Sequence, residues 1–186
     1  MDHKVALITG ATRGIGKQIA ITLAKEGYHI ALNYRTENEE LENTVKEIEE
    51  NKVECLAVKG DVSSFEDCEE FVKQVIETFG KIDVLVNNAG ITKDMLLMRM
   101  KKEDFEQVID VNLVGTFNVT KNVMSHMLKA RSGRIINISS VVGVSRKCWT
   151  NQLFGVQSRY YWLYEKLSQR SSFERNFGKC RSAWIY

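Results

Sequence analysis

The residues with the clearest capacity for chemistry form a glycine-rich turn at residues 9–16, Thr-Gly-Ala-Thr-Arg-Gly-Ile-Gly. Glycine lets the backbone approach a ligand closely, and the start of a following helix presents free N–H groups to an anion. The turn lies between an apolar run at residues 5–8 and a helical pattern that ends at Gly27. This position predicts binding of a dinucleotide pyrophosphate. The turn residues expected to contact it are Gly10, Thr12, Arg13, Gly14, Ile15 and Gly16.

A basic side chain, Arg35, follows the second apolar run, where the choice between the two nicotinamide cofactors is made. An acidic residue there would hydrogen-bond a ribose 2′-hydroxyl and repel a 2′-phosphate. Arg35 and Arg13 could instead clamp a 2′-phosphate between two guanidinium groups. We therefore expect NADP(H) as the cofactor. Glu37 keeps NAD as an alternative, and two solvated surface arginines are the remaining interpretation.

Four further motifs follow the glycine turn in a fixed order. They are Asp61-Val62, Asn87-Asn88-Ala89-Gly90, Asp110-Val111-Asn112 and Ile138-Ser139-Ser140-Val141-Val142-Gly143. With the turn, they resemble the short-chain dehydrogenase/reductase family over residues 4–145. The segment of residues 91–101, with Asp104 and Phe105, resembles the family members that reduce 3-oxoacyl groups carried on acyl carrier protein in fatty-acid synthesis.

The resemblance implies transfer of a hydride from the nicotinamide to a 3-oxo carbon, with a proton delivered to the developing alkoxide. It implies that Ser140 hydrogen-bonds the substrate oxygen and that Asn112 holds a lysine through water. It also implies cofactor contacts from Asp61, Val62, Asn88, Ala89 and Gly90, with Asp61 at the adenine. A substrate linked to acyl carrier protein is the implied partner. The family is homo-oligomeric, and we expect assembly to be impaired here because the helix used for dimer packing is lost. Lys129 and Arg131 are candidate contacts for the acidic carrier, with a solvated helix end as the other interpretation.

Two residues that the family requires are absent. The proton donor is a tyrosine thirteen residues after the serine, and a lysine four residues later lowers its pKa. This chain has Leu153 and Gln157 at those positions, and no Tyr-x-x-x-Lys pattern occurs in residues 146–186. Reading degenerate codons from residue 146 onward with the first base dropped restores a family-like sequence, with tyrosine at 153 and lysine at 157. We therefore expect a frame-shifted and truncated C-terminal part and a chain that is nearly inactive.

The composition changes at the same place. Residues 1–145 carry 18 basic and 22 acidic side chains, whereas residues 146–186 carry 8 and 2 and hold ten of the seventeen aromatic residues. A basic, aromatic-rich tail is typical of nucleic-acid binding, but the shifted reading frame explains both features, so we expect no nucleic-acid partner. The predicted organisation is an NADP-binding domain at residues 1–145 and an aberrant tail of uncertain order at residues 146–186.

The elements that must position these residues alternate along the chain. Helical patterns separate five apolar runs, and a pattern of this kind predicts a parallel sheet covered on both faces. A capping box is predicted at residues 36–39, a second cap at residues 63–66 with its helix running to Gly80, and a helix-rich stretch at residues 94–130. The fold class is therefore α/β, a Rossmann-type doubly wound parallel sheet. Because the family's last strands are missing, we expect the fifth strand to have an exposed edge. The five runs are residues 5–8, 29–32, 53–58, 82–86 and 134–138.

The bulk composition excludes several other classes. Of 186 residues, 44% are hydrophobic and 27% are charged, a balance unlike that of disordered chains. No apolar run approaches the ~18 residues of a membrane span, so we expect no membrane partner. The four cysteines and three histidines are scattered, so no metal site is expected. The start of the chain lacks the pattern of a secretory signal, and we expect a cytoplasmic protein. The chain contains no proline, and the family's usual Pro-Gly segment would follow the frame shift.

Overall fold

The computed structural model describes residues 3–93, 95–140 and 181–185, of which Leu97, Ser140 and residues 181–185 are described by their backbone alone. The described strands are β1 (Val5–Thr9), β2 (His29–Tyr34), β3 (Cys55–Lys59), β4 (Val84–Asn87), β5 (Arg134–Ser140) and β6 (Arg181–Ile185). They form one parallel sheet in the order β3-β2-β1-β4-β5-β6. The five predicted strands are confirmed, with bounds that shift by one or two residues.

Five α-helices connect the strands in the described part of the chain, and none of them is long and apolar enough to cross a membrane. A short 3₁₀ turn (Leu97–Arg99) precedes the fourth helix, and a π-helical turn (Asp110–Val114) joins the fourth helix to the fifth. The helices are α1 (Gly14–Lys25), α2 (Glu39–Glu49), α3 (Phe65–Phe79), α4 (Lys102–Ile109) and α5 (Gly115–Ala130).

The caps of two helices test the predicted boundaries. Ser64 Oγ accepts a hydrogen bond from Asp67 N at 3.1 Å, and α3 ends at Gly80 with φ +76°, as the sequence predicts. The capping box at residues 36–39 is wrong. The side chain of Asn38 caps α2, because its Oδ1 accepts from Leu41 N at 3.0 Å and the helix begins at Glu39. Asn38 supplies a side-chain acceptor two residues later than Thr36 would, so the helix starts later.

Two separate cores cover the two faces of the sheet. Leu7 of β1 packs in a cluster with Phe71 and Val123, which come from α3 and α5. Its neighbour Ile8 points to the opposite face and packs in a cluster with Ile21 of α1 and residues of α2. Alternate strand residues thus enter opposite cores, and helices bury both faces of the sheet. This arrangement confirms the doubly wound α/β fold.

The expectation of an exposed edge at β5 is wrong. β6 pairs with β5 in parallel, in a register that runs from Ile136 opposite Arg181 to Ser140 opposite Ile185. An edge strand presents a row of unpaired N–H and C=O groups, and an extended segment of the same chain satisfies them here. β5 is therefore an inner strand of the described sheet, and β3 and β6 form its edges.

Candidate functional site

A cleft of about 470 Å³ opens at the carboxyl ends of the central strands. β1 lies between β2 and β4, and the helices that follow β1 and β3 pack on opposite faces of the sheet. The order of the strands therefore reverses next to β1. Ligands of open α/β sheets bind at such a switch point. The cleft brings together these residues proposed from the sequence: Gly10, Thr12, Arg13, Gly14, Ile15, Arg35, Asp61, Val62, Asn88, Ala89 and Gly90.

Gly16 is the one proposed cofactor residue that is not part of the cleft lining. A Cβ at this position would lie 2.4 Å from Asn88 Nδ2 and 2.6 Å from Gly10 O. Both distances are shorter than the non-bonded contacts, of 3.0 Å or more, that Cβ atoms make in proteins. Gly16 therefore acts through packing, since it lets the start of α1 approach the residues that form the cleft wall.

Thr9 and Asn88 lock the turn after β1 to the turn after β4. Thr9 Oγ1 accepts hydrogen bonds from Asn88 N and Ala89 N, both at 3.0 Å. Asn88 Nδ2 donates to Thr9 O and Gly10 O, also at 3.0 Å. Thr9 is buried, and the sequence placed it in the turn without predicting this role, although a polar residue at the end of an apolar strand was a usable signal.

Asn33 has a similar role between β1, β2 and β3. Its backbone oxygen accepts a hydrogen bond from Gly10 N at 3.1 Å, and its Nδ2 donates to Gly60 O at 3.0 Å. Gly10 has φ +63°, a conformation that glycine adopts without strain. Asn33 lines the cleft and is 2% exposed, so it is a site residue that the sequence analysis did not identify.

Arg35 and Asp61 meet at one side of the cleft, where Arg35 Nη1 lies 3.8 Å from Asp61 Oδ2. The other carboxylate oxygen of Asp61 accepts from Ser63 N at 2.9 Å and from Ser63 Oγ at 2.6 Å. Asp67 Oδ2 accepts from Asp61 N at 2.9 Å. That backbone hydrogen bond, with a second from the Ser64 hydroxyl, lowers the pKa of Asp67 below its ordinary value of 3.8. The acidic side chains at this end of the cleft are thus held in fixed positions.

Asn112, proposed as a catalytic residue, lies on the π-helical turn and is buried. Its Oδ1 accepts from Ile91 N at 2.8 Å and its Nδ2 donates to Ile91 O at 2.9 Å. The oxygen and the nitrogen of the side-chain amide therefore both hold the segment after β4 against the junction of α4 and α5. An ion pair between Lys93 and Asp104 ties the same segment to α4.

Ser140, the second proposed catalytic residue, is the last residue of β5, at the carboxyl edge where the cleft opens. Its side chain lies outside the described part of the chain, as do Leu153 and Gln157. Within residues 3–93 and 95–140, no group of three or more His, Cys, Asp or Glu side chains is arranged to hold a metal ion. The described site is therefore the cleft with its two guanidinium groups, glycine turn and amide network.

The comparisons with known proteins agree with this geometry. A family model described as short chain dehydrogenase matches residues 4–151. The chain belongs to the short-chain dehydrogenase family. The 3-oxoacyl-[acyl-carrier-protein] reductase of Staphylococcus epidermidis is 50% identical over 141 residues, which are 76% of this chain and 58% of that protein. A Synechocystis protein of the same name is 49% identical over 144 residues, 77% of this chain and 58% of that protein.

Solved structures of the family have the same fold. A variant of actinorhodin polyketide ketoreductase solved with NADPH superposes with a TM-score of 0.85 at 37% identity, covering 90% of this chain and 65% of that one. Membership of the short-chain dehydrogenase family confirms the resemblance found in the sequence motifs. This chain spans 58% of the length of the Staphylococcus and Synechocystis relatives.

Proposed function

We propose that this chain is the NADPH-binding part of a 3-oxoacyl thioester reductase. The observation that carries the proposal is the cleft at the switch point of the sheet, which unites the glycine turn with the motifs after β3 and β4. The reductases of Staphylococcus and Synechocystis that match this chain at 49–50% identity support the substrate class. When bound, NADPH supplies the hydride for the 3-oxo carbon, and the product is a 3-hydroxyacyl thioester.

The residues present fit a dinucleotide. Gly14 and the start of α1 would offer backbone N–H groups to the pyrophosphate, and Gly10 and Gly14 have no side chains that would keep it from the backbone. A Cβ at Gly10 would lie 3.0 Å from the Cα of Ala89, so this wall of the cleft is closely packed. Asp61 and Val62 are proposed for the adenine, and Asn88, Ala89 and Gly90 for the rest of the cofactor.

The preference for NADPH over NADH is proposed from charge. Arg13 and Arg35 line the same cleft and offer two guanidinium groups to a 2′-phosphate. Asp61 lies beside Arg35 and offsets part of this positive charge. Because two cations face one anion, the balance still favours NADPH over NADH. Glu37, which supported the alternative cofactor in the sequence, does not line the cleft.

The chain retains two of the four catalytic residues that the resemblance implies and lacks the other two. Ser140 would hydrogen-bond the substrate oxygen. Asn112 would hold a lysine through water, but this chain has Gln157 at the position of that lysine. The proton donor and the neighbouring ammonium are replaced by Leu153 and Gln157. Loss of a general acid costs about 10²–10⁴ in rate, so the chain is proposed to bind cofactor and to turn over substrate very slowly. A non-catalytic nucleotide-binding protein or a non-functional fragment is the alternative that this replacement supports.

The proposed partner is an acyl chain on acyl carrier protein. Lys129 is in the last turn of α5, and Arg131, with φ +52°, is the first residue after the helix. These two cations at one helix end suit an acidic carrier. Homo-oligomers are expected of the family by resemblance, and we propose that assembly is impaired in this chain because residues 146–186 depart from the family's sequence.

Calorimetric titration of the purified chain with NADPH and with NADH tests the cofactor proposal. We expect NADPH to bind more tightly, and Arg35→Ala to reduce the difference by about fivefold or more while leaving NADH binding within about twofold, because the charge pair with the phosphate is worth about 1 kcal/mol or more. Arg99→Ala is the matched control, since Arg99 is exposed on the 3₁₀ turn and does not line the cleft. A chain that binds neither dinucleotide contradicts the proposal.

Turnover and gene sequence test the catalytic part. With an acetoacetyl thioester and NADPH, we expect a rate at least about a hundredfold below that of the Staphylococcus epidermidis relative, because the general acid is missing. A comparable rate would show that another group delivers the proton. Sequencing the gene across codon 145 tests the frame shift, which requires a single-base relation to coding sequence for tyrosine at 153 and lysine at 157.

A further inference from the structure

Helix α2 is linked to the glycine turn although no residue of the helix itself lines the cleft. Thr44 is 0% exposed, and its Oγ1 donates a hydrogen bond to the backbone oxygen of Thr12 at 2.9 Å. One turn further along α2, Glu47 Oε2 lies 2.7 Å from Lys17 Nζ of α1. Two contacts of different chemistry thus join α2 to the turn and to the helix that follows it.

The hydroxyl of Thr44 has a different kind of partner from those of Thr22 and Thr78, two other helical threonines. Thr22 Oγ1 donates to Gln18 O at 2.8 Å and Thr78 Oγ1 to Gln74 O at 2.9 Å, each four residues back in its own helix. This is the usual bond of a threonine inside a helix. Thr44 instead reaches a carbonyl 32 residues earlier in the chain. The hydroxyl of Thr44 therefore connects α2 to the glycine turn and does not bond within its own helix.

The bond to Thr12 O sets the direction of a complete peptide group. A trans peptide points its N–H opposite to its C=O, so a carbonyl held on Thr44 fixes the N–H of Arg13 on the other side. Arg13 is the residue directly before α1, with φ −152° and ψ 173°, and Gly14 follows with φ +57°. Because Gly14 has no side chain, the backbone on that side of Arg13 can rotate easily. The anchored carbonyl of Thr12 is therefore an important restraint on the position of the Arg13 Cα and Cβ atoms.

We propose that Thr44 is a positioning residue that holds the Thr12–Arg13 peptide, so that the Arg13 guanidinium meets the 2′-phosphate of NADPH. The inference rests on the proposed function, since it assigns the 2′-phosphate to this end of the cleft. Thr44 does not touch the cofactor. It acts through the hydrogen bond to Thr12 and through the burial that keeps water from replacing this bond.

The test compares Thr44→Val, which removes the hydroxyl at nearly constant volume, with Thr44→Ser, which keeps it. We expect Thr44→Val to weaken NADPH binding by about three- to tenfold, the size of one lost hydrogen bond, and to change NADH binding by less than about twofold. Thr44→Ser should restore NADPH binding to within about twofold of the unaltered chain. Thr78→Val, a helical threonine bonded to its own helix, should leave both ligands unaffected.

Two results of the titration would overturn the proposal: an equal loss of both dinucleotides, or a failure of Thr44→Ser to restore NADPH binding. A second measurement needs no ligand. Backbone ¹⁵N order parameters of residues 12–14 should fall in Thr44→Val and stay unchanged in Thr44→Ser and Thr78→Val. Unchanged order parameters in Thr44→Val would show that the hydroxyl holds nothing. If the unaltered chain binds neither dinucleotide, the proposed function fails, whereas the order parameters still decide whether Thr44 holds the turn.

Discussion

Arg35 and Asp61, which follow the neighbouring strands β2 and β3, form an ion pair with 3.8 Å between Arg35 Nη1 and Asp61 Oδ2. Their side chains are 57% and 34% exposed, so solvent screens the pair and its contribution is at most about 1 kcal/mol. Two hydrogen bonds from Ser63 hold the carboxylate in place. The guanidinium proposed for the 2′-phosphate therefore already has an anionic neighbour, with which an incoming phosphate must compete.

The first prediction concerns this competition. Asp61→Asn should raise the affinity for NADPH relative to NADH by about two- to fivefold, because it frees Arg35 and removes a negative charge near the phosphate. The ratio of the two dissociation constants, measured at one ionic strength, cancels any effect on the adenine, which both dinucleotides share. Glu69→Gln, an exposed change on α3, is the control for net charge. A ratio that falls or stays constant would show that the pair does not oppose phosphate binding.

The second prediction separates packing at Gly16 from general loss of stability. Gly16→Ala would place a Cβ 2.4 Å from Asn88 Nδ2, so the amide must leave its bonds to Thr9 O and Gly10 O. Overpacking of this kind costs about 1–3 kcal/mol, and we expect dinucleotide affinity to fall by about tenfold or more.

Gly27→Ala is the matched control for Gly16→Ala. Gly27 has φ +82° and open space around it, so alanine there should cost about 1 kcal/mol of stability through backbone strain alone. Chemical denaturation should show a loss of stability for both variants, while calorimetry should show a loss of binding for Gly16→Ala only. Equal binding losses would assign the effect to folding and not to the cleft wall.

The third prediction concerns the two described cysteines. Burial, with a smaller effect of the charge on Glu49, raises the pKa of Cys55 from 9.0 to about 12. Burial also raises the pKa of Cys68 to about 12, with smaller effects of neighbouring carboxylates, Asp67 first. The folded state thus favours the neutral thiols, a stabilisation that is present below pH 9 and is lost as the pH rises from 9 towards 12.

Because the thiolate is the reactive form, neither cysteine should react with iodoacetamide at pH 8 in the folded protein. Mass spectrometry of the peptides that contain Cys55 and Cys68 measures the extent of labelling, and the same peptides from protein in urea are the reference. Labelling in buffer at the rate seen in urea would contradict the burial of these thiols.

The fourth prediction uses a strained residue after α2. Lys52 has φ +62° and donates its backbone N–H to Glu49 O at 2.9 Å. Lys52→Gly should stabilise the chain by about 0.5–1 kcal/mol, since glycine adopts this conformation without strain and the hydrogen bond is retained. Lys46→Gly, inside α2, should destabilise it by about 1 kcal/mol. Denaturation midpoints measure both, and a loss of stability in Lys52→Gly would contradict the strain.

Local signals in the sequence determined much of the fold. The cap at Ser64, the helix end at Gly80 and the five apolar strands depend on residues a few positions apart, and the structure has them where the sequence predicts them. The glycine turn before α1 is also local. Where two local signals competed, as for Thr36 and Asn38 before α2, the sequence selected the wrong residue.

Only the tertiary structure decided which distant residues meet. Thr9 with Asn88, Asn112 with Ile91, and Thr44 with Thr12 are separated by 79, 21 and 32 residues. Each bond depends on the order of the strands and on how helices pack over them, which no local pattern specifies. The pairing of β6 with β5 is of the same kind, because an edge strand accepts any extended segment that can reach it. The sequence thus determined the elements and the site motifs, and the packing of the sheet determined the contacts that hold them in place.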